Sequence, residues 1–582
     1  MLYPQANPHR HFVDLSGIWD FCFDAAEAGR ENGFANGRPI AVPASWNDQF
    51  AEDRDHLGPG WYQTRFALPW GYGDKQLALR FGSVNYLADV WLNGRYLGQH
   101  EGGHLPFAFD VSDTVREEDN VLVVRVDGQL AFDRVPPGNV TGTDRDFFPS
   151  HSGNFPQAQF DFFPFCGIHR PVLLTAVPAQ CLTDLTVTTT IEGIAGLVHV
   201  ALEVSAAEQG QTAVILLEGF DFSAQETISL TGESGETSLT VPDARLWSPN
   251  APHLYTLTVT LLGAGAAIDR YSLPVGIRTI AVQGSQLLLN GEPVYLTGFG
   301  RHEDFPVNGR GLVTAVLIKD YALLEWIGAN SFRTTHYPYS DEMMALADRL
   351  GYLIIDEIPA VGLCFREDGL ARRQALCRQQ IRELVARDKN HPSVIMWSIA
   401  NEPHSLHPQA APFFQGLAAL TRILDATRPV TLVSFLGEAE ESFAFLDVVC
   451  LNRYLGWYAL PGRIAESAAL LSDELDAIHQ KYGKPIILTE FGADTIPGQH
   501  AQPPEMFSEE YQVEFLTQYL DVLRQKPYVV GEHVWNMCDF KTSQGITRVG
   551  GFNYKGVFTR DRRPKMAAHM LRARWRQNPP LK

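Results

Sequence analysis

In the first third of the chain apolar positions alternate with polar ones in short runs, among them Leu77-Ala78-Leu79-Arg80-Phe81, Ala88-Asp89-Val90-Trp91-Leu92 and 121–126. Gly, Pro and Asn separate these runs, and Asn93-Gly94 reads as a hairpin turn. This period of two predicts an all-β sandwich over residues 1–180, with Trp46, Trp61 and Trp91 as core aromatics. A second β-rich segment, 181–277, carries runs at 185–190, 198–204, 213–217 and 254–262, and has the length of a small immunoglobulin-like sandwich. From 278 to 582 the pattern changes to short, wholly apolar runs alternating with amphipathic stretches at 371–388, 413–426, 465–481 and 511–524. The runs lie at 294–296, 331–333, 352–356, 394–400, 430–434, 448–452, 486–490 and 529–535, which predicts a (β/α)8 barrel.

A barrel of this kind carries its chemistry at the C-terminal ends of its strands. There the pattern places His302, Glu303, His336, Asp356, Glu357, Asn401, Glu402, Asn452, Tyr454, Glu490, Trp535 and Asp539. Two of these stand out. The run through Trp397 ends abruptly in Asn401-Glu402-Pro403, where the proline stops the strand, and Ile486-Ile487-Leu488-Thr489 delivers Glu490 in the same way. Two strand-end carboxyls with aromatic neighbours and no metal-ligand cluster point to glycoside hydrolysis. Phosphate-loop, dinucleotide, zinc-protease and serine-hydrolase signatures are absent from the sequence, and no cofactor is expected. Asp161 also stands out, because Phe147, Phe148, Phe155, Phe160, Phe162, Phe163 and Phe165 surround it in sequence, and a carboxylate amid so much apolar surface needs a partner or a ligand.

Composition narrows the partners. With 45% hydrophobic and 20% charged residues the chain has the profile of an ordinary globular protein. Its formal net charge of −20 and scattered Lys and Arg disfavour nucleic acid and anionic membranes, so an anionic substrate would need a cation inside its pocket. Seven widely spaced cysteines without a C-x-x-C pair, and polar residues where a secretory peptide would be apolar, lead us to expect a reduced, cytoplasmic protein.

Trp397-Ser398-Ile399-Ala400-Asn401-Glu402-Pro403 and Thr489-Glu490-Phe491-Gly492 resemble the catalytic signatures of glycoside hydrolase family 2. So do Gly298 to Asp304, Arg333-Thr334-Thr335-His336-Tyr337-Pro338, Asn452-Arg453-Tyr454 and Gly556 to Arg560, and the resemblance covers nearly the whole chain. It implies a sugar-binding jelly-roll-like sandwich, an immunoglobulin-like domain and a catalytic barrel. It further implies retention by double displacement, with Glu490 as nucleophile, Glu402 as acid and then base, Asn401 on the sugar 2-hydroxyl and Tyr454 beside Glu490. The acid would then need a pKa roughly two units above the glutamate reference.

Asn553-Tyr554-Lys555 is similar to the Asn-x-Lys motif of the family's β-glucuronidases, which implies that Asn553 and Lys555 hold a uronate carboxylate. A charge-assisted hydrogen bond of about 1.5–3 kcal/mol would favour the uronide by roughly 10- to 150-fold, and a lysine left unpaired by a neutral sugar would widen the gap. The resemblance adds Asp161, Arg548, His336, Asn452, Trp535 and Tyr458 as pocket residues, and Phe552 after Gly550-Gly551 departs from some members' spacing. The short link from Gly362 to Ala371 implies an open site. The expected substrates are small-molecule glucuronide conjugates or glucuronate-terminated oligosaccharides, and the expected assembly is a homo-oligomer, dimer or tetramer. The alternatives are a family 2 β-galacturonidase, β-galactosidase or β-mannosidase, or a non-catalytic carbohydrate-binding protein.

Overall fold

A computed structural model describes the chain apart from residues 1, 24–29, 139–154, 159, 209, 366 and 578–582. Phe147 and Phe148 of the aromatic segment lie outside the described residues.

The first unit packs a six-stranded antiparallel sheet on a four-stranded one. Alternation is the cause: in Leu87–Leu92, Ala88, Val90 and Leu92 point inward against Leu122, Val124 and Val126 of the neighbouring strand, while Asp89 and Trp91 face out. Trp46 and Trp61 are buried, whereas Trp91 is only partly buried and stacks on Trp61 from the outer face. Asn93 and Gly94 both have positive φ, as a two-residue hairpin turn requires. The second unit, from Leu182 to Val275, is a sandwich of a three-stranded and a four-stranded sheet around its own core of Leu, Val and Ile.

The third unit is a closed barrel of eight parallel strands. They are β1 (Leu296–Gly300), β2 (Ser331–Arg333), β3 (Leu353–Glu357), β4 (Val394–Asn401), β5 (Val430–Ser434), β6 (Val449–Asn452), β7 (Ile486–Glu490) and β8 (Val529–Val534). β1 is displaced from the expected 294–296, because Gly298 and Gly300 belong to the strand and not to a loop. A Cβ on Gly298 would sit 1.8 Å from the Ser331 carbonyl oxygen and one on Gly300 2.7 Å from the Trp535 ring, so close strand packing demands glycine at both. Helices Thr314–Ile327, Asp341–Leu350, Leu370–Asp388, Ala410–Leu424, Ile464–Tyr482, Glu509–Arg524 and Met566–Gln577 surround the barrel.

The first sandwich reaches over the barrel mouth. Phe160 and Phe162 join the barrel's own apolar cluster, and the Phe163 N–H donates to the Lys541 carbonyl at 2.9 Å. Asp48 of the sandwich pairs with Lys541 at 2.9 Å and Arg560 at 2.6 Å, and Arg170 lies 3.2 Å from Glu303. Burial alone would raise the Asp48 carboxyl, but Arg560 and Lys541 hold it below the usual aspartate range. Its stabilising contribution is therefore complete above the ordinary aspartate pKa of about 4 and fades as pH falls below it. Asp48→Ala takes from Lys541 its carboxylate partner while Arg560 keeps Asp304, and should cost about 3 kcal/mol, read as a lower thermal midpoint at neutral pH, with the difference from the wild type shrinking in acid.

Candidate active site

β4 is buried along its length and hands over to Glu402, whose φ of 46° lies in the left-handed region that non-glycine residues avoid. Such strain persists only where the surroundings fix it, and here the Glu402 N–H donates to the Val433 carbonyl at 2.8 Å. The turn directs the carboxyl into a cavity of about 750 Å³. β7 ends in Glu490 on the same cavity wall, together with His336, Asn401, Asn452, Tyr454, Tyr458, Trp535, Arg548, Asn553 and Asp161.

The two glutamates have opposite environments. Arg333, wholly buried, donates one terminal nitrogen to Glu490 and the other to both oxygens of Glu357 at 2.7 and 2.8 Å. The Tyr454 hydroxyl donates to Glu490 Oε2 at 2.7 Å, and His336 Nε2 lies 3.7 Å from Oε1. Glu357 is itself fixed by the Ser398 hydroxyl at 2.7 Å, and although burial raises its carboxyl, Arg333 brings it below its ordinary value. Among the described residues no cation pairs with Glu402 in this way. Burial first, and the negative charge of Glu490 second, push it up to about 7, against the opposing effect of the Asn452 amide that donates to it at 2.7 Å. Asn452 is oriented in turn by the Thr489 hydroxyl at 2.9 Å, and its amide also lies 3.3 Å from Asn401 Oδ1.

The opposite end of the cavity is a chain of ions. Arg548 donates Nε to Asp161 at 2.8 Å and closes a second bond from Nη2; Asn553 donates to the same carboxylate at 2.8 Å. The Tyr458 hydroxyl accepts from Arg548 at 2.6 Å and from Lys555 at 2.8 Å. Lys555 is completely buried behind this wall and pairs with Asp494, which also lies 3.6 Å from Arg548. The partner that Asp161 requires is thus Arg548 with Asn553, and the inserted Phe552 does not keep Arg548 from the site.

Two expectations need correction. Lys555 is not left without a counter-charge when no uronate is present, because Asp494 supplies one. Nor do all strand-end polar groups converge on the cavity. Asp356 accepts from Thr334 at 2.9 Å, Glu303 accepts from the Ser340 N–H at 3.0 Å, Asp539 pairs with Lys565 at 2.8 Å and His302 packs on Phe540, each behind the wall. Conversely, Arg333, Glu357 and Asp494 were not singled out as binding or catalytic residues. An arginine closing a buried strand was the available signal for Arg333, since a buried guanidinium needs a carboxylate.

Three family models match the chain in succession. "Glycosyl hydrolases family 2, sugar binding domain" matches residues 12–178, "Glycosyl hydrolases family 2" matches 181–278, and "Glycosyl hydrolases family 2, TIM barrel domain" matches 280–578. A β-glucuronidase of Paenibacillus borealis is 43% identical, over 99% of this chain and 98% of its own length, and that of Homo sapiens is 40% identical over 99% and 92%. Among solved structures, a β-glucuronidase of an uncultured Clostridium sp. superposes with a TM-score of 0.91 at 40% identity, covering 99% of this chain and 100% of its own. The Ruminococcus gnavus β-glucuronidase in complex with D-glucuronic acid superposes with a TM-score of 0.91 at 37% identity over 99% of both chains.

An acid with a pKa of about 7 must lose catalysis as pH rises past that value, so kcat should fall on the alkaline side of neutrality. In Glu490→Gln the neighbouring charge is gone and the Glu402 carboxyl should titrate lower, which carbon NMR of labelled glutamate can read directly. An unchanged titration would mean that the two groups do not interact.

Proposed function

The chain belongs to glycoside hydrolase family 2, and from that footing we propose that it is a retaining β-glucuronidase, releasing glucuronate and an alcohol from β-D-glucuronides. The observation that carries the chemistry is the pair of unlike glutamates in one cavity. Glu490, clamped by Arg333 and Tyr454, attacks the anomeric carbon, and Glu402 gives its proton to the departing oxygen. Glu402, now a carboxylate, takes a proton from water as that water displaces the sugar from Glu490, and the anomeric configuration is restored. Asn452 donates to Glu402 and lies against Asn401 Oδ1, so the two amides sit together beside Glu402, where a 2-hydroxyl would be held. His336 and Trp535, stacked on each other, provide the apolar and polar floor for the ring.

Specificity is assigned to the ionic end. Asn553, Arg548, Tyr458 and, behind them, Lys555 are the donors suited to a C5 carboxylate, whereas a neutral hydroxymethyl group would use few of them. The leaving group would be a small-molecule aglycone or the next sugar of a glucuronate-terminated oligosaccharide, lying against Val361, Gly362, Phe435, Leu436 and Leu455 on the same wall as Glu402. Cytoplasmic residence and assembly as a dimer or tetramer complete the proposal. The first is supported by seven cysteines with no disulfide among them, and light scattering on the purified protein tests the second.

The discriminating experiment compares p-nitrophenyl β-D-glucuronide, galacturonide and galactoside. The glucuronide should lead the neutral sugar by about tenfold or more in kcat/KM, and a clear preference for the neutral sugar would reject the uronate assignment. Proton NMR of the reaction should detect β-glucuronate first. Glu490→Ala should abolish turnover and recover with azide as an α-glucuronosyl azide, while Glu402→Gln should lose about 10²–10⁴-fold on poor leaving groups and far less on p-nitrophenol. Undiminished turnover in Glu490→Ala would refute the nucleophile assignment.

A further inference from the structure

Resting on the uronate reading of the pocket, we propose that Asp494 is a positioning residue for substrate specificity, holding the Lys555 ammonium in line with the sugar carboxylate. Asp494 follows β7 and touches the Asn553-Tyr554-Lys555 segment at two points. Its Oδ1 accepts the Tyr554 N–H at 2.8 Å and its Oδ2 takes the Lys555 ammonium. The adjacent backbone continues the attachment, because the Thr495 N–H donates to the Tyr554 carbonyl at 3.0 Å. One carboxylate therefore sets both the path of the loop and the place of its cation.

An ammonium has three hydrogens to donate. Lys555 uses one on Asp494 and one on Tyr458, and no third acceptor is in reach among the described residues. The remaining donor is the one available to a uronate oxygen. Without Asp494 the side chain would keep only a neutral phenol as polar partner, among the rings of Tyr454, Trp457 and Tyr458.

The other charges facing this pair do not replace Asp494. Arg548 lies 3.6 Å from it and is engaged with Asp161. Asp539 is paired with Lys565, whose ammonium is spent on that carboxylate and on the carbonyls of Thr495 and Tyr554.

The test is Asp494→Asn, which retains an acceptor for the Tyr554 N–H, with thermal unfolding to establish that the variant folds. Its glucuronide KM should rise about tenfold or more with kcat within about threefold. The KM for p-nitrophenyl β-D-glucoside should stay within about threefold. Asp494→Glu keeps the charge and shifts the ammonium by one methylene. It carries the test if the asparagine variant does not fold, and its glucuronide KM should rise by less than that of Asp494→Asn. A glucuronide KM that is unchanged or lower in the variant measured overturns the proposal, as does a rise in Asp494→Asn that is equal for both substrates. A wild-type enzyme with no preference for the glucuronide over the glucoside fails the uronate reading itself.

Discussion

Two carboxyl groups that share a cavity cannot both carry charge cheaply, and this site resolves the conflict with one guanidinium. Arg333 is fully buried and bridges Glu357 and Glu490, so that its charge is committed to those two carboxylates. Glu402, which follows β4, receives only an amide from Asn452 among the described residues. The asymmetry follows from which strand ends in which residue. β2 ends in Arg333, β3 in Glu357, β6 in Asn452 and β7 in Glu490, so barrel closure itself gives the two cavity glutamates unlike surroundings. An arginine held on both sides by carboxylates has little freedom to swing toward Glu402, and the difference between the two glutamates is built into the resting enzyme.

The substrate-facing end depends on a different constraint, the docking of the first sandwich on the barrel mouth. Asp161 comes from that sandwich and Arg548 from the last barrel loop, and neither fills its hydrogen-bonding capacity without the other. The Phe160 and Phe162 side chains that flank Asp161 sink into the barrel cluster, so burial of apolar surface sets the depth at which the carboxylate meets Arg548. The pairs of Asp48 with Lys541 and Arg560 secure the same junction further out. The ionic end of the cavity is thus an interface between two domains, while the end that holds the two glutamates belongs to the barrel alone.

This division explains what could be read from sequence. The β/α alternation, the eight strands and the two glutamates were legible because each is a local pattern: an apolar run, a stop and a polar residue at the rim. β1 was misplaced because Gly298 and Gly300 look like loop residues until the neighbouring Ser331 and Trp535 are known to crowd them. Asp161 was recognised as needing a partner from its phenylalanine neighbours, yet Arg548 is hundreds of positions away and no spacing links the two. Asp494 has no local signature either. It is four residues past Glu490 in the irregular segment after β7, and its meaning comes from the Asn553 to Lys555 segment laid across it.

The placement of these ions also bears on how an acidic protein would handle the proposed acidic substrate. The chain carries a formal charge of −20, which argues for an excess of positive charge in the pocket to overcome repulsion. The cavity instead matches Arg548 with Asp161 and Lys555 with Asp494, so its ionic end is close to neutral in formal charge before substrate arrives. On the proposed uronate reading, attraction at a distance is therefore not the basis of recognition. What remains is short-range: donors held in fixed directions by their own counter-ions, with the cost of ordering them met during folding rather than on binding. Such a site gains little from a negative charge as such and much from a planar carboxylate at the right height above the ring.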